Sequence, residues 1–117
     1  MHLADEIAGE LTIAEDVIAD LAGYAALESY GVVGMAAPTL SDGIAKLLPA
    51  SRLRRGINVE MVDGAIDMDL YVIIEHGTNL AEVSRMLADK VKFVLEDGAQ
   101  LPVHEVNIHV QGVKVRD

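Results

Sequence analysis

The chain has no cysteine and no tryptophan, and only one phenylalanine and three tyrosines in 117 residues. Without cysteine there is no disulfide framework, no thiolate nucleophile and no thiolate zinc ligand, which fits a reducing compartment. The shortage of aromatics leaves Ala, Val, Ile, Leu and Met to fill the interior, and 51% of the residues are hydrophobic. No apolar run approaches the roughly 20 residues of a membrane-spanning helix. The amino end, MHLADEIAGE, carries acids where a secretory leader carries basic residues ahead of an apolar stretch. The expectation is a soluble, cytoplasmic protein without a membrane span. Basic residues are scarce too, nine against nineteen acids, for a net charge of −10. That balance argues against general nucleic-acid binding, which requires Lys and Arg to neutralise phosphates.

The length fits one compact domain over residues 1–117, with its core over about 9–113. The few cations are concentrated. In GIAKLLPASRLRRG, Lys46, Arg52, Arg54 and Arg55 stand without an acid, inside a basic loop expected over about 37–56. Such a loop on an acidic body suits an anionic lipid, RNA or the acidic surface of another copy. The simpler expectation is a solvated loop whose arginines pair with nearby acids of their own chain.

Two helices are marked by capping chemistry. Thr12 and Glu15 have capping-box spacing ahead of Ile13, Val17, Ile18, Leu21, Ala22 and Ala25, which recur at helical period. Gly23, Ala25 and Ala26 keep part of that helix small enough for close approach of a neighbour. Gly31 suits the left-handed position just past its end. Asn79 and Glu82 open the second helix, with Leu80, Val83, Leu87, Val91 and Val94 as its stripe and Gly98 as its stop.

The strongest strand signal is INVEMVDGAIDMDLYVIIE. Asp63-Gly64 is a two-residue hairpin turn, which pairs Val62 with Ala65 and Ile57 with Leu70. One face then collects Ile57, Val59, Met61, Ile66, Met68, Leu70, Val72 and Ile74; the other carries Asn58, Glu60, Asp67, Asp69, Tyr71 and Glu75. VHEVNIHVQGVKV alternates as a further strand, with Val106, Ile108 and Val110 inward. VVGMA reads as a short strand after the first helix, and GELTI as an edge strand before it. The fold class is α/β in the α+β sense: a two-layer sandwich of one mixed sheet with two main helices on its apolar face.

The opposite face should be polar and acidic. Glu60 faces Asp67, with Asp69 further along, so a hard cation or a basic partner surface would relieve their repulsion. Strand side chains on an open sheet do not converge as a chelating loop does, and no metal or other cofactor is expected. His2, His76, His104 and His109 lack the spacing of a helical zinc motif. His104 and His109 have opposite strand parity and point to opposite faces unless a bulge intervenes. Ser29, Ser41, Ser51 and Ser84 lack a nucleophile-elbow context. GVVGMA leads from helix into strand, the reverse of a phosphate-binding loop. No catalytic residue is assigned.

The stretches GELTIAEDVIADLAGYAALESYGVVGM, DGIAKLL, INVEMVDGAIDMDLYVIIEHGTNLAEVSRMLADKVKFVLED and VHEVNIHVQGV together resemble the alkaline shock protein family, the envelope stress response proteins of Gram-positive bacteria. The resemblance runs from Gly9 to about Val113, and ALESYGVVGM and VNIHVQGV are its most specific parts. It implies a non-enzymatic cytoplasmic protein of cell-envelope homeostasis. Some members self-associate or are held near the membrane by a separate membrane-spanning partner. Glu28, Gly31 and Gly34 match signature positions. The expected role of Glu28 is structural, its carboxylate accepting from amides around Gly31 to Val33 or pairing with an arginine. Two mechanisms follow: assembly, with the basic segment of one copy on the acidic face or a strand edge of another, or binding of RNA or an anionic ligand at the basic loop. The absence of a stacking aromatic near that loop disfavours RNA.

Overall fold

The computed structural model describes residues 3–38 and 46–116, with the side chains of 3–14 and of Ala50 outside that description. In chain order it holds α1 (Leu3–Leu27), β1 (Val32–Met35), a 3-10 segment (Ala50–Gly56), β2 (Ile57–Val62), β3 (Ala65–Glu75), α2 (Leu80–Phe93) continued by a wide π-type turn (Val94–Gly98), and β4 (Val103–Lys114). The sheet is mixed. β1 and β2 both pair antiparallel with β3, while β4 pairs with it in parallel. A parallel neighbour needs a crossover rather than a hairpin, and α2 supplies it.

The hairpin has the expected register, from Val62 opposite Ala65 to Ile57 opposite Leu70. Asp63 and Gly64 both take positive φ, 51° and 81°, as the tight turn demands. β3 is longer than its partner: β2 covers 65–70 and β1 covers 72–74 on the same side, while β4 runs along the other. Ile66, Met68, Leu70, Val72 and Ile74 therefore point together into the helical layer, where all five are fully buried.

The first helix corrects the expectation on two points. It begins at Leu3, so GELTI is helical rather than an edge strand, and Thr12 lies inside the helix rather than at its cap. The Leu-, Ala- and Glu-rich run ahead of Thr12 has high helix propensity, and Gly9 alone does not stop it. The face buried against the sheet is also shifted. Ile18, Ala19, Ala22, Ala25 and Ala26 are buried while Val17 is 51% exposed. Small residues win this position because the helix lies close on the sheet: a Cβ at Gly23 would sit 3.3 Å from Ile57 Cδ1. On α2, Val83, Leu87 and Val91 are buried as expected, joined by Leu95, while Leu80 stays exposed. Asn79 Oδ1 accepts from the Glu82 amide at 3.0 Å and caps the helix.

The corner between α1 and β1 depends on Gly31. Its φ is +80°, and a Cβ there would lie 2.6 Å from Val83 Cγ2 of α2. Two costs thus coincide at one residue, backbone strain and a clash in the core. Gly64 has nearly the same φ and nothing within 4 Å of a Cβ. In urea unfolding, Gly31→Ala is expected to lose more than 2 kcal/mol and Gly64→Ala only about 1 kcal/mol. Equal losses would mean that contact with α2 does not constrain the corner.

Candidate functional site

The basic segment is anchored to the helical side of the sheet. Leu53 turns into the core, and Arg54 reaches α1, where its Nε and one terminal nitrogen donate to the two carboxylate oxygens of Asp20, both at 2.8 Å. Asp16 lies 3.5 Å from the other terminal nitrogen. This fork holds the Asp20 carboxyl below its ordinary range and raises the Arg54 guanidinium. A shallow surface pocket of about 300 Å³ beside it is lined by Asp20, Tyr24, Ser51, Leu53 and Arg54. Its cation is already neutralised. Lys46, Arg52 and Arg55 are exposed, and none has an ion-pair partner among the described residues. Gly43 to Ala45, the start of the basic window, lie outside those residues, as does His2.

On the other face of the sheet, polar groups form rows across three strands. Glu60, Asp67 and Glu105 stand side by side, followed by Asn58, Asp69 and Asn107. Two histidines of β4 relieve the acid repulsion. His104 Nδ1 lies 2.6 Å from Asp67 Oδ1, and His109 Nε2 lies 2.9 Å from Asp69 Oδ1. They share this face because the register slips between Val103 and Glu105, which makes His104 the extra residue of a bulge. His109 also stacks on Tyr71, with centroids 4.5 Å apart and planes 13° from parallel.

The Asp67 hydrogen bond raises the pKa of His104 above its ordinary value. For Asp69 the bond from His109 holds the carboxyl low against the opposing effect of burial, with help from Asn58 and Asn107. Asp67, His104 and Glu105 also bring one potential ligand atom each within 4.8 Å of one another. His104 Nδ1, however, is already engaged with Asp67, and His104 and Glu105 are exposed while Asp67 is half-buried.

The polar face ends at Ile73, which is fully buried although its neighbours Tyr71 and Glu75 are only half-buried. Gly34 lies opposite Ile73. A Cβ at that glycine would come within 2.7 Å of Leu47 Cδ2, so the absent side chain makes room for Leu47 to cross the sheet there. Ala36 and Leu47 form an antiparallel bridge, and Gln111 Nε2 donates to the carbonyls of Ala37 and Pro38. Hence part of the expected loop packs on the sheet rather than standing in solvent.

Glu28 does not take the expected role. Its side chain is 76% exposed and reaches only Lys90 Nζ, at 3.9 Å, a contact of small worth in water. The corner is held by its own backbone. The Val32 amide donates to the Ser29 carbonyl, the Glu75 amide to Gly31, and Ser29 Oγ to Ala25. Arg116 adds a hydrogen bond to the Val32 carbonyl at 2.5 Å. Strand alternation already places His109 on the polar side, but its pairing with Asp69 needs the β3–β4 register; His104 reaches the same face only through the bulge, which has no local signature such as glycine.

The His104 pair makes stability depend on pH in a definite direction. A raised folded pKa means the pair contributes below the ordinary histidine range and loses that contribution as pH rises through the folded value. The proton resonances of His104 should titrate above an ordinary histidine, and Asp67→Asn should return them to it. The Tm difference between wild type and Asp67→Asn should shrink as pH is raised. An unchanged midpoint in the variant would contradict the pairing.

Among the described residues no helix is long and apolar enough to cross a membrane. Solved structures of the MamM CTD share the fold, with a TM-score of 0.52 at 10% identity over 89% of this chain and 95% of that one. Uncharacterized protein YloU of Bacillus subtilis (strain 168) is 39% identical over 108 residues, 92% of this chain and 90% of the relative. A stress response regulator gls24 homolog of Streptococcus pyogenes is 26% identical over 119 residues, 98% of this chain and 64% of the relative. A sequence model of the alkaline shock protein 23 family, of cell envelope-related function, matches residues 4–115. With that match spanning nearly the whole chain and the relatives agreeing, the protein belongs to the alkaline shock protein 23 family.

Proposed function

We propose that this protein is a non-catalytic, self-associating scaffold of the envelope stress response, working in the cytoplasm and held near the membrane by a separate membrane-anchored protein. The observation that carries this reading is the separation of charge across the sandwich. Lys46, Arg52 and Arg55 are exposed cations, and Arg52 and Arg55 flank the Leu53–Arg54 step that anchors their segment to α1 on the helical side. Glu60, Asp67, Asp69 and Glu105 lie on the far face of the sheet. The basic segment of one copy fits the acidic rows of the next. Because the two surfaces lie on opposite sides, one copy engages two neighbours, and the contact is head-to-tail. Such contacts extend rather than close unless the rotation completes a ring.

Arg54 is excluded from the docking set, since its guanidinium is committed to Asp20 and Asp16. Absolute mass by light scattering at low and high salt tests the proposal. Large species at low salt should shrink to a small, salt-independent one when the ionic strength is raised. The Lys46→Ala, Arg52→Ala, Arg55→Ala triple variant should remain small at both. A wild type whose mass is the same at both salt levels, or a triple variant that still assembles, would overturn charge-paired association. RNA capture by the basic segment in the same variant series would instead favour the binding-module reading.

A further inference from the structure

The outer edge of β4 is a second contact surface, distinct from the basic segment. β4 is the longest strand, Val103–Lys114, and it pairs only with β3 among the described residues. An unpaired strand of this length presents a row of free backbone donors and acceptors. No proline interrupts it, and the residues between the bulges at His104 and Gln111 form a regular stretch. Val106, Ile108 and Val110 pack against the core yet remain only half-buried, so the apolar layer stops incompletely at this edge.

The order of charges along β4 selects its partner. Glu105 lies near one end and Lys114 at the other, both on the polar face, opposite Asp67 and Glu75. Parallel pairing of two such strands would oppose like charges. Antiparallel pairing opposes unlike ones, twice, about a two-fold axis. The bulge completes the register. With Gln111 as the extra residue, an axis at His109 sets Glu105 against Lys114, Val106 against Val113 and Asn107 against Gly112. Each pair then lies on one face, Val106 and Val113 on the core side and the others on the polar side.

We propose that β4 pairs antiparallel with β4 of a second copy, joining two four-stranded sheets into one continuous sheet of a closed, two-fold dimer. This inference deepens the self-association reading but uses surfaces that the basic segment does not touch. Dimers of this kind would be the repeating unit that the head-to-tail contacts link. Backbone hydrogen bonds and apolar side chains carry the dimer, so it persists where salt has dispersed the basic-segment contacts.

The test uses the full chain at high salt, by light scattering and by crosslinking. Wild type should have twice the chain mass. Lys114→Glu and Glu105→Lys should each weaken the dimer about tenfold, the equivalent of two modest ion pairs, and the double swap should restore it. Because the chain has no cysteine, His109→Cys should form a disulfide-linked dimer under mild oxidation, while Glu82→Cys on the far side of α2 should not. A monomeric wild type at high salt would overturn the proposal. So would a dimer indifferent to both charge reversals and uncrosslinked through position 109. Loss of salt-sensitive species alone, with the dimer intact, would count against the basic-segment contact and leave the β4 dimer standing.

Discussion

Everything else in this molecule is arranged around β3, the strand that pairs on both sides and is covered differently on its two faces. Its inward residues, Ile66 to Ile74 at alternate positions, are fully buried and give α1 and α2 one continuous aliphatic floor. That floor has no aromatic ring to fill gaps, so the helices must approach closely, which is why α1 meets it with alanine and glycine. Packing at interior density leaves little room for correction. Gly31 and Gly34 sit where a side chain would strike α2 or the returning segment at Leu47.

The outward side of β3 is polar, and like charges there would weaken the sheet if left alone. Asp67 and Asp69 are matched by His104 and His109 from β4, so the parallel pair is held by side chains as well as by its ladder. The result is a sheet that tolerates an acidic surface without needing a covering layer. That open face, the outer edge of β4, unpaired among the described residues, and the exposed arginines beside α1 are three unlike surfaces on one small body. The pocket beside Arg54 is shallow, and the guanidinium within it is already paired.

The parts governed by short-range chemistry were legible in the sequence. Asp63-Gly64 set the turn, period-two alternation set both faces, and the hairpin register followed without tertiary information. Asn79 and the stripe through Val83, Leu87 and Val91 located α2 for the same reason. The start of α1 misled because capping-box spacing also arises inside helices. Val17 misled because the depth of helix–sheet approach, a tertiary quantity, decided which face was buried. The acids of the sheet and the outward facing of His109 were readable, but the partner strand was not, and His104 reached Asp67 only through a bulge. Glu28 shows the limit of a signature position: its neighbours' backbone, not its carboxylate, shapes the corner.

Hydrogen exchange read by mass spectrometry, comparing the protein at low salt with the dispersed protein at high salt, tests the central claim that the sheet surfaces and the basic segment, rather than the exposed aromatics near α1 and α2, mediate association. The account predicts that residues 46–55 and the acidic rows on β2 and β3 gain protection at low salt, while β4 stays protected in both conditions. Protection gained instead around Tyr24 and Phe93 of the helices and Tyr30 of the turn after α1, all exposed aromatics, with the sheet unchanged, would contradict it.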